Sequence, residues 1–163
     1  MLDLHPMPVS VVACHASAHE LDSLTIERAF PFRVAVDELL LLDDPTRGHS
    51  LTEDTTAHLG RNGVVIDQTD GFAGWTLRGE DASEAFLRLS ALPLPAAAGS
   101  TTQGLVAHTP AKVIVADRSV HILVPSTLGH HFYGRVMTSC VDLAVRECDP
   151  DPFKPPVAMS VTA

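Results

Sequence analysis

Residues 63–91 read GVVIDQTDGFAGWTLRGEDASEAFLRLSA, and this block restricts the fold more than any other part of the chain. Val64-Val65-Ile66 is a short apolar run of strand length and reads as a buried strand. A turn follows at Asp70-Gly71, then a second strand at Trp75-Thr76-Leu77. Asp81 stands where a helix N-cap belongs, Glu84 follows three residues later, and an apolar helical run begins behind them. A similar capping spacing, Ser50 to Glu53, opens an earlier predicted helix. A strand–turn–strand–helix unit of this kind points to an α+β fold.

The rest of the chain divides around that block. Residues 1–23 carry Pro6, Pro8 and a small apolar patch at Val9, Val11 and Val12, with no sustained period. They read as an N-terminal arm that becomes ordered against something else. In residues 24–60, Phe32–Val36 alternates as a strand and Leu39–Leu42 is a continuous apolar run, joined through Asp37-Glu38. A helix is predicted from Ser50 to Leu59, ended by Gly60. Beyond the block, Pro93-Leu94-Pro95 cannot continue a helix. Leu105–Ala107, Ala111–Val115 and Val120–Val124 read as strands, the last two joined by a turn at Asp117-Arg118. Residues 126–146 are a predicted helix capped by Ser126, with Leu128, Phe132, Val136, Cys140 and Leu143 or Ala144 on one face. Residues 147–163 form a Pro-rich, extended tail. A hairpin precedes a helix twice, at 32–59 and 111–146. The expected architecture is therefore α+β, with two small β-rich half-units, about 24–62 and 63–146, packing helices on mostly antiparallel sheets.

Composition excludes some functions. The formal net charge is −9, and only 11 basic residues are scattered along 163 positions. A phosphate-binding surface needs clustered Lys and Arg, so nucleic acid is not an expected partner. No apolar run is long enough to cross a bilayer. The segment MLDLHPMPVS lacks a basic stretch followed by an apolar one, so no secretory signal is expected. Cys14, Cys140 and Cys148 are too few and too irregular for a disulfide framework, and a cytoplasmic protein with reduced thiols is expected. Aromatic residues are 5% of the chain, so the core must rest on aliphatic side chains.

Residues able to do chemistry are present, but they do not converge. Cys14-His15 and His19 offer three zinc-ligand types at close spacing, yet no second cluster completes a structural site. His130 and His131 are adjacent on a helix and face apart, with one expected to pack and the other to be solvated. His121 points away from Val120 and Ile122 on its strand, as a satisfied polar position or a surface residue. His108 ends a strand. Cys140 lies on the apolar helix face, where a thiol acts as a small hydrophobe. Ser90 and Ser126 lack a nucleophile-elbow setting. Asp67 and Asp70 stand at strand ends, where carboxylates cap turns. Gly60-Arg61-Asn62-Gly63 matches neither a phosphate loop nor a dinucleotide fingerprint. No residue set supplies nucleophile, base and orienter together, so no catalytic and no metal-binding residues are assigned, and any cofactor-binding residues are left open.

The run Ile66-Asp67-Gln68-Thr69-Asp70-Gly71-Phe72-Ala73-Gly74-Trp75-Thr76-Leu77-Arg78-Gly79-Glu80-Asp81-Ala82 resembles a segment of the folate-binding aminomethyltransferase superfamily. Within it, the pattern V-D-x-T-x-G-x-x-x-L-x-L-x-G-x-x-A of sarcosine oxidase gamma subunits fits closely. Ala35-Val36-Asp37-Glu38-Leu39-Leu40-Leu41-Leu42 is similar to the end of that family's first half. The resemblance covers roughly Leu24 to Arg146. It implies an aminomethyltransferase-like fold and a non-catalytic accessory subunit of a heteromeric flavoprotein that oxidatively demethylates sarcosine or a related N-methylated amine. By the same resemblance, alpha- and beta-like partner subunits hold FAD, FMN and NAD, tetrahydrofolate accepts the one-carbon unit, and zinc belongs to the complex. No cofactor is expected in this chain itself. The closing helix departs from the family: it opens on Pro125-Ser126-Thr127-Leu128 and has only Phe132 and Tyr133 as aromatics, which puts its grip on a partner in question. The chain is also too short to supply the three-domain ring that holds tetrahydrofolate in the catalytic relatives. The alternative is a stand-alone folate- or small-molecule-binding protein with the same half-fold. A third option is a domain carrying metal on its N-terminal Cys/His segment.

Overall fold

The computed structural model describes residues 1–156. In chain order the elements are β1 (Leu2–Pro6), β2 (Ser10–Ala16), α1 (Ala18–Ser23), β3 (Phe30–Ala35), β4 (Glu38–Asp43), α2 (Gly48–Leu59), β5 (Gly63–Asp67), β6 (Phe72–Arg78), α3 (Ala82–Leu89), β7 (Thr101–Val106), β8 (Thr109–Ala116), β9 (Ser119–Pro125), α4 (Gly129–Ser139) and β10 (Val145–Glu147). They form two compact units, Pro8–Asp70 with Pro152–Pro155, and Met1–Met7 with Gly71–Asp151. The α+β class and the mostly antiparallel sheets are as expected, with a helix closing each hairpin.

In the first unit the sheet order is β3-β4-β2-β5, antiparallel throughout. Its elements follow a β-α-β-β-α-β order. Leu39–Leu42 explains the central place of β4, because every one of these residues is buried and only a strand covered on both faces can use such a run. Val12, Cys14, Leu39 and Leu41 pack with Leu21, Leu51 and Leu59 of the helices. On the opposite face Phe30 meets Phe153 edge-on, with ring centroids 6.3 Å apart.

In the second unit β6-α3-β8-β9-α4-β10 repeats the same order, with β7 added at one edge. The sheet runs β10-β1-β6-β9-β8-β7. β1 is inserted between β6, antiparallel to it, and β10, parallel to it. Ala82, Ala85, Phe86 and Leu89 recur at helical spacing, and all are buried against Leu2, Leu4, Leu77, Val113, Ile122, Phe132 and Val136. Gly74 has a steric reason: a Cβ there would overlap the Met7 carbonyl oxygen, while Met7 N–H donates to Gly74 O at 2.8 Å.

Several expectations are corrected. Residues 2–6 and 10–16 are sheet strands rather than an arm; their short apolar alternation is completed by partners distant in sequence, which no local period reveals. The boundary between units falls at Asp70/Gly71 rather than between residues 62 and 63, because β5 pairs with β2. Val64 and Ile66 are exposed (57% and 43%), since β5 is an edge strand and only Val65 faces the helices. The hairpin turn between β3 and β4 is Val36-Asp37, one residue earlier than expected. Asp44, not Ser50, caps the turn leading into α2, accepting from Thr46 N–H at 2.9 Å, and Ser50 Oγ donates to Arg47 O instead. Asp81 occupies the N-cap position of α3 without a side-chain capping bond. The final helix stops at Ser139; Ala144 adopts φ 50°, and the chain then enters β10. The tail is anchored as far as Phe153, whose N–H donates to Pro8 O at 2.9 Å, and residues 157–163 of it lie outside the described residues.

Phe132 is fully buried at the centre of the second unit's core. Phe132→Ala is expected to destabilise the protein by about 3–5 kcal/mol in urea denaturation. Removal of residues 1–7 deletes Leu2 and Leu4, each worth roughly 1.5–3 kcal/mol of burial, together with the pairing of β10. Loss of the cooperative transition in circular dichroism is the expected result, and an unchanged midpoint would refute the role assigned to β1.

Candidate functional site

Alternation along β1 sends Leu2 and Leu4 into the helix-side core, which leaves Asp3 and His5 on the other face of the six-stranded sheet. Register then sets their neighbours. Asp3 lies opposite Arg146 and Arg78, and His5 opposite Thr76. Thr76 lies opposite His121, and Arg78 opposite Ser119. A band of polar side chains therefore crosses β10, β1, β6 and β9, all within the second unit.

The band is tightly bonded. Arg146 grips Asp3 with both arms, Nε–Oδ1 at 2.9 Å and Nη2–Oδ2 at 2.8 Å. That guanidinium holds the Asp3 carboxyl below its usual range. Arg78 Nη2 donates to Asp151 Oδ2 at 2.6 Å, and Asp151 N–H donates to Pro6 O. His121, 8% exposed, shares a 2.9 Å hydrogen bond between its Nδ1 and Thr76 Oγ1. Burial pushes the His121 imidazole down to about 4, the Arg78 cation adds to this, and Asp151 opposes it. His121 is thus a neutral, satisfied polar residue near neutral pH, one of the two roles read from its strand position. His5 Nδ1 lies 3.0 Å from the Asp149 carbonyl oxygen, and Cys148 Sγ is 3.6 Å from Arg146 O.

The Cys14-His15-His19 grouping is taken apart by the fold. Cys14 is buried on the helix side of β2 and desolvation pushes its thiol up to about 11. His15 points to the other face, and His19 is exposed on α1. His130 and His131 are both exposed, which corrects the expectation that one packs; His130 stacks on Tyr133 with centroids 6.5 Å apart, and Tyr133 lies 5.6 Å from Trp75. His108 sits with Ala107 in a two-residue turn, both at positive φ. Cys140 is buried in the core, as expected, and desolvation raises its thiol. Ser90 Oγ donates to Leu105 O, and Ser126 is exposed. Asp67 caps its turn by accepting from Thr69 N–H at 3.0 Å. The sheet band itself was not read from sequence, because it depends on the placement of residues 2–6 and 145–148.

No protein-family model matches the sequence, and neither does any curated protein. Solved structures do match in fold. One is a chain of the heterotetrameric sarcosine oxidase from Corynebacterium sp. U-96, in complex with pyrrole 2-carboxylate: TM-score 0.75, 14% identity, 90% of this chain and 87% of that chain. Another is the glycine cleavage system aminomethyltransferase T from Bartonella henselae: TM-score 0.67, 12% identity, covering 90% of this chain but 47%, about half, of that one. A third is the regulatory subunit of aspartate kinase from Thermus thermophilus, at TM-score 0.51 and 7% identity. The fold is aminomethyltransferase-like.

Because the His121 imidazole is held near 4 in the fold and returns to about 6.5 on unfolding, the unfolded chain binds the extra proton between these values. Stability is complete above pH 6.5 and falls as pH drops toward 4. Roughly 2–4 kcal/mol depends on this group. His121→Gln should flatten that part of the pH dependence in urea titrations at pH 4.5 and 7.5; an unaltered slope would show that His121 is not its source.

Proposed function

We propose that this chain is a non-catalytic, gamma-like accessory subunit of a cytoplasmic heteromeric flavoprotein that oxidatively demethylates sarcosine or a related N-methylated amine. FAD, FMN, NAD and tetrahydrofolate belong to the alpha- and beta-like partner subunits. The observation that carries this reading is the two-way coverage. The chain and a chain of heterotetrameric sarcosine oxidase span each other nearly end to end, whereas it accounts for about half of the aminomethyltransferase. A subunit of that extent would rely on its partners to complete any folate cavity.

Exposed apolar residues supply contact surface for partners. Leu87 (58% exposed), on α3, and Val141 (74%), just after α4, lie in the second unit. The charge of −9 suits a basic docking face, with association that weakens as salt rises. The aminomethyltransferase likeness favours a second reading, a stand-alone folate- or small-molecule-binding protein.

Affinity purification of the full chain from its native host should recover flavin-bearing subunits in stoichiometric amount. The chain alone, supplied with folate and flavin, should not turn over sarcosine or dimethylglycine. Recovery of a lone chain with bound pterin would replace this reading with the second one, and turnover by the chain alone would overturn both.

A further inference from the structure

We propose that Asp3, His5 and Cys148 form a binding site for a zinc-class divalent cation on the sheet face opposite the helices. One donor atom from each residue lies within 4.8 Å of the others, and all three side chains are partly buried. The arrangement is set by backbone rather than by flexible loops. Asp3 and His5 are two apart on β1, and the parallel register of β10 brings Cys148 alongside, with its N–H donating to Leu4 O at 3.0 Å.

The surroundings prepare each donor. A carbonyl oxygen can only accept, so the 3.0 Å contact with Asp149 O places the proton of His5 on Nδ1 and leaves the Nε2 lone pair available. A carbonyl behind a ligating imidazole is the usual outer partner at metal sites. The Asp3 carboxylate is held ionised by Arg146, and each of its oxygens keeps a lone pair after that pairing. The Asp3–Arg146 pair accounts for the carboxylate and the guanidinium; the imidazole holds the Asp149 carbonyl and the thiol makes a long 3.6 Å contact with Arg146 O, so the Nε2 and sulfur lone pairs stay available to a cation.

One sulfur, one imidazole nitrogen and one carboxylate oxygen select the cation. Thiolate disfavours magnesium and calcium, carboxylate disfavours cuprous copper, and all three suit zinc. Tetrahedral zinc bonds of about 2.0–2.3 Å put ligand atoms roughly 3.5 Å apart, so side-chain rotations closing about 1 Å would complete the site. Three protein ligands leave a fourth position for water. Binding removes the Cys148 thiol proton to solvent, forms the metal–sulfur bond without any redox change, and therefore strengthens as pH rises. The assignment is independent of the subunit role proposed above.

Cobalt(II) alone, titrated into the full reduced chain, tests it. The expected result is a thiolate-to-cobalt charge-transfer band saturating at one equivalent and displaced by zinc. Cys148→Ser should abolish the band, and His5→Ala should weaken zinc binding at least about tenfold. His19→Ala, on α1, should change neither. Zinc should also slow alkylation of Cys148 in the unaltered protein, a measurement that needs no variant to fold. Absence of the band, a band that survives Cys148→Ser, equal loss in His19→Ala, or alkylation of Cys148 indifferent to zinc would each overturn the site.

Discussion

The pairing of residues 2–6 on both sides is the constraint on which the second unit rests. β1 hydrogen-bonds antiparallel to β6 and parallel to β10, so it joins the body of the sheet to the strand that follows α4. Its two faces serve different ends. Leu2 and Leu4 complete the core beneath α3 and α4, and Asp3 and His5 anchor the polar band on the other face. A period of two makes this division strict: a one-residue slip would put two charged or polar groups into the core and two leucines outside it.

Much of the fold was legible from local pattern. The Leu39–Leu42 run, the Asp117-Arg118 turn, the face Phe132–Val136–Cys140 and the repeated hairpin-before-helix order are encoded within a few residues of each other, and the structure has them. Where local pattern and structure differ, the missing signal is a distant strand partner, a place in the sheet or a backbone conformation. β1, β2 and β10 are short and owe their strand state to partners far along the chain, which composition and period cannot report. The apolar run at Val64–Ile66 predicts a buried strand, because such a run does not say whether its strand lies at an edge. The apolar spacing persists past Cys140 and so predicts a longer final helix than Gly129–Ser139, while the left-handed turn at Ala144 is invisible in an alanine.

The polar band was illegible for the same reason, since Asp3, His5, Arg146 and Cys148 meet only through register. His121 could be placed on the correct face from alternation alone, yet its burial and its partner Thr76 came from the sheet. Fold and function also separate here. Chains of a heterotetrameric sarcosine oxidase, an aminomethyltransferase and a regulatory subunit of aspartate kinase share this fold, so the fold alone does not fix a role.

The place of β1 has a consequence for biosynthesis. Its segment leaves the ribosome before either neighbour exists: Leu4 must await Leu77 and then Glu147. Until β6 and β10 emerge, Leu2 and Leu4 have no core to enter, and the loop that closes them spans nearly the whole chain. Such long-range closure is slow and leaves apolar strand exposed meanwhile. The second unit is thus built around a segment made well before its partners, and its sheet stays incomplete until residues 145–147 are synthesised.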